Sequence, residues 1–177
     1  YRNTCKLHEA IADKEMLSHE FLTPDHAAQR TRFSDGTEVI VNFGEKPYQL
    51  VREGKTYLLP QNGFYVKGPR IEQLMVLLDG KVVTSIKAPG YLFSDAEGVD
   101  VEMLAKGKRM ILHIGAGKEV ALRFEEVVPN WDVENTRIYL LDSKGERREE
   151  AQFKRKGDTI LLGPFSEFTN LEAVCRS

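Results

Sequence analysis

Apolar positions along the chain follow two different periods, and the change falls near residue 23. Across 1–22, Leu7, Ala10, Ile11 and Met16 recur near i, i+3, i+4, while Glu9, Asp13, Lys14 and Glu15 are left for a wet face. This spacing predicts a helix over 1–22. Thr23-Pro24-Asp25 is expected to end it, because the residue before a proline is biased out of the helical region and Asp favours a turn. From Arg30 onward the period is two, with Val39, Val41 and Phe43 on one face and Glu38, Ile40 and Asn42 on the other.

Turn residues cut this second region into hairpins. Asp35-Gly36 supplies the positive-φ pair of a tight turn and predicts that 31–33 pairs with 38–43. Arg52-Glu53-Gly54 joins 48–51 to 55–59, and Asp79-Gly80 joins 72–78 to 81–86. Pro89-Gly90, Ser94-Asp95 and Glu97-Gly98 break the pattern, so 88–98 reads as a seam between two β units. Beyond it, strands are expected at 99–104, 109–114, 119–127, 137–141, 149–154, 159–162 and 170–174. Turns at Lys106-Gly107, Gly115-Ala116-Gly117, Ser143-Lys144-Gly145 and Lys156-Gly157-Asp158 separate them. Short strands at that regular spacing predict a sandwich. The expected fold class is all-β: a helix over 1–22, an antiparallel hairpin-rich β-domain over 23–98, and a small immunoglobulin-like β-sandwich over 99–177. The strands lie too close together for βαβ crossovers, which excludes a doubly wound nucleotide-binding fold.

Composition narrows the partners. With 177 residues, 41% hydrophobic and 29% charged, the chain is ordinary globular protein and long enough to bury roughly 70% of its unfolded surface. Disordered and collagen-like readings are excluded. The 25 Lys+Arg against 27 Asp+Glu leave a net charge of -2, so no basic field draws the chain to phosphate backbones or anionic lipid. Neither nucleic acid nor membrane is an expected partner. No apolar run approaches the ~20 residues needed to cross a bilayer as a helix. An opening Tyr1 rather than Met is expected of a processed product, an excised domain or the tail of a larger protein. Cys5 and Cys175 fit no metal-ligand spacing and are either two unrelated thiols or, since domain ends often lie together, one long-loop disulfide.

Candidate chemistry is thin. His8, His19 and His26 cluster with Glu9, Glu20 and Asp25, yet Ala12 and Thr23 stand where a helical zinc motif needs its second histidine, so a structural or solvated role is the better reading. His113 alternates between Leu112 and Ile114 and faces away from them. Gly115-Ala116-Gly117-Lys118 resembles a phosphate loop but has Leu112 and Glu119 at required positions; flanked by strands, it predicts a hairpin turn. The run 144–156 mixes Arg147, Arg148, Lys154 and Arg155 with Glu149 and Glu150, as a solvated hairpin does. Glu125-Glu126 and Glu149-Glu150 point to opposite faces of a strand and cannot jointly flank a glycosidic bond. No catalytic residue, metal-ligand set or cofactor motif is legible. Aromatic rings can stack on sugars: Trp131, the single tryptophan, either plugs one end of the sandwich core or meets a ligand, with Tyr57 and Tyr65 as further candidates and Tyr48, Phe64 and Tyr91 behind them.

Three segments carry a family resemblance. They are 19–25 (HEFLTPD), 29–44 (QRTRFSDGTEVIVNFG) and 59–64 (LPQNGF). Together they resemble the region just after the catalytic barrel in large bacterial glycoside hydrolases similar to endo-α-N-acetylgalactosaminidases. The resemblance spans about residues 7–69 and implies architecture, not a catalytic position. It implies that 1–22 is the remnant of a barrel's last helix and that the catalytic acids lie upstream of Tyr1. It also implies that the partner is the catalytic barrel of the parent enzyme, with carbohydrate as a second partner, in a secreted or periplasmic setting. The expected function is therefore an accessory, non-catalytic C-terminal β region that scaffolds the barrel. A carbohydrate-binding module is the alternative, and exposed coplanar aromatics would favour it. An autonomous hydrolase using His19, His26 and Asp25 is the second alternative and requires those three to converge.

Overall fold

Helix formation stops at Ile11. The helix α1 (Arg2–Ile11) sets Leu7, Ala10 and Ile11 on one side, but Met16–Phe21 is extended and forms strand β1, which corrects the helix expected to residue 22. The cause is long-range: β1 pairs antiparallel with β2 (Ala28–Phe33), while the Ser34 amide donates to the Glu15 carbonyl and the Glu15 amide donates to Ser34 Oγ. Thr23-Pro24-Asp25 turns β1 into β2 instead of ending a helix. Thr23 Oγ1 accepts from the Ala28 amide at 3.0 Å, Asp25 Oδ1 accepts from the Ala27 amide at 3.1 Å, and His26 adopts a φ of 59°. This computed structural model describes residues 2–104 and 108–175, so the Lys106-Gly107 turn lies outside the described residues. The chain divides into two units, 1–88 and 89–177. The boundary falls at Ala88/Pro89 rather than 98/99, because the expected seam contains a strand, β9 (Tyr91–Ser94), that pairs with the strand after it.

In the first unit β3 (Glu38–Asn42), β6 (Gly63–Lys67), β7 (Glu72–Leu78) and β8 (Lys81–Ala88) continue the sheet in the order β1-β2-β3-β6-β7-β8, all antiparallel. The hairpin of β4 (Tyr48–Arg52) and β5 (Lys55–Leu59) stands apart as its own two-stranded sheet. Tight turns at Glu53-Gly54 and Asp79-Gly80 use positive φ at both residues, as the two-residue hairpin requires. The two sheet faces are covered differently. Leu50 and Leu59 of the hairpin pack with Ile40 and Tyr65 on one face, and Ala10 of α1 packs with Val66, Ile71 and Ala88 on the other.

The second unit is a two-sheet sandwich. Its large sheet runs β9-β10-β11-β17-β13-β14, where β10 is Val99–Leu104, β11 Arg109–Ile114, β13 Thr136–Leu141, β14 Arg147–Glu150 and β17 Thr169–Cys175. Its small sheet runs β12-β16-β15, with β12 Val120–Arg123, β15 Phe153–Lys156 and β16 Thr159–Leu162. Met110, Leu112, Ile114, Ile138 and Leu171 of the large sheet pack against Leu122, Ile160 and Leu162 of the small one in a single buried cluster. One expected hairpin turn and one expected strand are sheet crossings. Residues 115–118 lead from β11 into β12 of the other sheet, and the strand expected at 149–154 is broken at Ala151-Gln152 into β14 and β15, one in each sheet. The strand expected over 119–127 ends at Arg123, where Phe124–Glu126 form a 3₁₀ turn that buries Phe124. Every residue of β14 is exposed and charged, which protects a sheet edge from pairing with other chains.

Candidate functional site

The aromatic candidates are mostly interior. Trp131 is 4% exposed; it meets Phe124 edge to face at 5.6 Å, and its Nε1–H donates to Thr136 Oγ1 at 2.7 Å. An indole with both its apolar body and its N–H satisfied inside the sandwich offers no ring face to a ligand. Tyr65 is likewise 4% exposed, and burial pushes its phenol above the ordinary value. Tyr57 is half-buried 5.2 Å from it, the two rings tilted under the β4–β5 hairpin.

The histidines do not converge on Asp25. His19, Phe21 and His26 form a surface cluster, Phe21 meeting His19 edge to face at 5.5 Å and stacking on His26 at 4.1 Å. A phenyl ring separates the two imidazoles, and His19 Nδ1 pairs with Thr31 Oγ1 at 3.0 Å. Asp25 is held by its own turn: the Thr23 hydroxyl and the Ala27 amide keep its carboxyl below the ordinary range. No group of three or more His, Cys, Asp or Glu among the described residues is arranged to hold a metal ion. Neither Cys5 nor Cys175 is in a disulfide.

The resembling segments are structural devices. In Asp35-Gly36-Thr37, Asp35 Oδ1 accepts from the Thr37 amide at 2.9 Å, and Thr37 is buried where any Cβ on Gly68 would sit 2.2 Å from its Oγ1. Asn42 is buried, donates Nδ2 to the carbonyls of Lys46, Leu59 and Pro60, and accepts from the Gly44 amide. Gly63 closes the Pro60 turn, where a Cβ would lie 2.4 Å from Pro60 Cδ.

Two carboxylates organise the charges. Glu38 accepts from Arg52 at 2.9 Å and from Arg32 at 3.2 Å, with Arg30 at 3.7 Å. Burial pushes its carboxyl up, but these arginines outweigh it and the net direction is down. Glu172 lies mid-strand in β17 at 2% exposure. Its partners are Arg109 at 2.5 Å and Arg147, whose guanidinium also sits 4.8 Å over the Tyr139 ring. The Arg147 hydrogen bond is the main reason its carboxyl stays well below the ordinary value, against a burial that pushes it up.

Glu172 occupies the outer face of the large sheet, opposite the side that packs the core. Strand pairing sets it beside Ile111 and Tyr139, and two residues along β17 sets Asn170 beside His113. His113 Nδ1 is 2.6 Å from Asn170 Oδ1, and Phe168 stacks on His113 with centroids 6.0 Å apart at 14°. Sequence reasoning missed Arg109, Arg147, Tyr139, Phe168, Asn170 and Glu172. The signal within reach was the alternation of buried Leu171 and Ala173 with Asn170 and Glu172, but the arginines stand 63 and 25 residues from Glu172.

Open clefts elsewhere are less organised. One of about 510 Å³ mixes Arg123 and Lys156 with Glu125, Glu126 and Asp158; another of about 400 Å³ runs past Lys118, whose Nζ donates to the Ala96 carbonyl at 2.6 Å. On the first unit's sheet, α1 packs over Val39, Val66 and Phe64, while Phe21 and Phe43 remain 54% and 53% exposed and Met16 and Leu17 of β1 are exposed as well. No family model, curated protein or solved structure matches the chain.

Proposed function

We propose that this chain is an accessory, non-catalytic β region of a glycoside hydrolase, and that it scaffolds a catalytic barrel. The observation that carries the reading is the part-covered face of the first unit, where α1 packs over Val39, Val66 and Phe64 and leaves Phe21 and Phe43 mostly in solvent, with Met16 and Leu17 exposed at the other end of β1. Exposed apolar surface of this kind marks an interaction site. A barrel seated there buries it. The resembling segments support the same reading, since Asp35-Gly36-Thr37, Asn42 and Gly63 build the sheet and carry no exposed chemistry. Burial of Trp131 and Tyr65 weighs against a carbohydrate-binding module that works through those rings.

The reading is tested by sequencing the reading frame that contains Tyr1 and by assaying the purified chain on a panel of glycosides. It expects a (β/α)8 barrel encoded upstream in the same frame, and no turnover by this chain. A frame without a barrel, or hydrolysis by the chain alone, overturns it.

A further inference from the structure

The outer face of the second unit's large sheet is built around a carboxylate that the fold buries. Taking Glu172 out of water is costly unless the charge is paired and hydrogen-bonded. Here both oxygens are served: Oε1 accepts from Arg109 Nε and Nη2 at 2.5 Å, and Oε2 accepts from Arg147 Nε. Each arginine spends only one edge on this carboxylate. Among the described residues, Nη1 of Arg109 and both Nη groups of Arg147 have no protein partner, and both side chains are about half exposed. Arg147 is also held over Tyr139, so its remaining fork is oriented before any ligand arrives. Pre-organised forks of this kind match a carboxylate.

About 7 Å along β17 on the same face, the neighbouring group has a different chemistry. Asn170 Oδ1 accepts from His113 Nδ1, which in the neutral ring leaves Nε2 as an acceptor. Phe168 lies parallel to that imidazole and is 62% exposed. Charged donors, an acceptor for hydroxyls and an open ring thus share one sheet face, with a span suited to a short oligosaccharide.

We propose that this face binds a carboxylate-bearing sugar, with the acid group on the spare guanidinium edges of Arg109 and Arg147 and the sugar ring toward Phe168 and His113. The choice of a sugar rests on the glycoside hydrolase reading above; the preference for an acidic one rests on the arginine geometry. A neutral sugar leaves those guanidinium edges unmatched. A small inorganic anion leaves the aromatic end unused.

The test is calorimetric titration of the whole chain with trigalacturonate and with 3′-sialyllactose, two sources of the same chemistry. Galactotriose and lactose serve as neutral counterparts and triglutamate as an acidic peptide. At least one acidic sugar is expected to saturate at least about tenfold more tightly than its neutral counterpart, and which one does so identifies the source. Arg147→Gln should weaken that binding about tenfold or more, and Phe168→Ala severalfold. Because Arg147→Gln also strips a partner from buried Glu172, thermal melts accompany each variant. The exposed Phe168 supplies the variant that keeps its fold. Absence of saturation by either acidic sugar, equal affinity for the neutral sugar or triglutamate, or wild-type affinity in Phe168→Ala overturns the proposal. A barrel-free reading frame would remove the hydrolase reading and leave this binding result standing, whereas equal binding of neutral and acidic sugars would do the reverse.

Discussion

Trp131 and Thr136 are joined by a 2.7 Å hydrogen bond in which the indole N–H donates to a hydroxyl that itself donates to the Asp132 carbonyl. Thr136→Val keeps the shape and removes both bonds, leaving a buried N–H unsatisfied. A loss of about 1–3 kcal/mol is expected, read from urea unfolding followed by tryptophan emission. A loss below about 0.5 kcal/mol would show that this bond does not hold the 129–136 loop.

Asn42 ties three carbonyls and one amide around the entry to β6. Asn42→Leu keeps comparable bulk and strands four backbone groups. The expected cost is on the order of 3 kcal/mol in the same unfolding experiment. Asn42→Asp retains the acceptor for the Gly44 amide and, at a pH where Asp is neutral, one O–H donor in place of the amide's two N–H, so it should fall there between Leu and the wild type.

Acid should destabilise the chain in a defined direction. Glu172 is held below its ordinary 4.5 by Arg147 first and Arg109 second; for Glu38 the upward push of burial is outweighed by Arg52 and Arg32. A carboxyl depressed in the folded state contributes stability that is fully present above its unfolded value and disappears as pH falls through its folded value. The melting temperature should therefore be level with respect to these groups above about pH 5 and fall below it. Glu172→Gln should melt lower than wild type at pH 7 and lose less between about pH 5 and 3. If that variant keeps the whole wild-type acid slope, Glu172 does not contribute to it.

Exposed and buried apolar residues should respond oppositely. Phe21→Ser and Phe43→Ser remove rings that are mostly in solvent and should change stability by no more than about 0.5 kcal/mol while reducing self-association in light scattering. Leu112→Ala, in the fully buried sandwich core, should cost about 2–5 kcal/mol. A large loss from Phe43→Ser would mean that the ring belongs to the first unit's core.

Local sequence determined the turns and most of the strands. Glu53-Gly54 and Asp79-Gly80 sit at positive φ because a two-residue reversal needs it, whereas at Asp35-Gly36 only the glycine does, and strands such as Val99–Leu104, Arg109–Ile114 and Thr159–Leu162 follow their alternation to the residue. Tertiary structure decided the rest. Residues 16–21 carry apolar spacing that suits a helix, yet pairing with β2 supplies backbone partners that an isolated helical turn there could not match in this context. Whether 115–118 folds back as a hairpin or crosses between sheets is invisible locally, since both need the same glycines; burial of Leu122 against Ile160 and Leu162 settles it. The same holds for the site. A mid-strand glutamate facing outward is legible in 169–175, but the arginines that make it a charged platform arrive from β11 and β14, brought together by strand order, which no local period encodes.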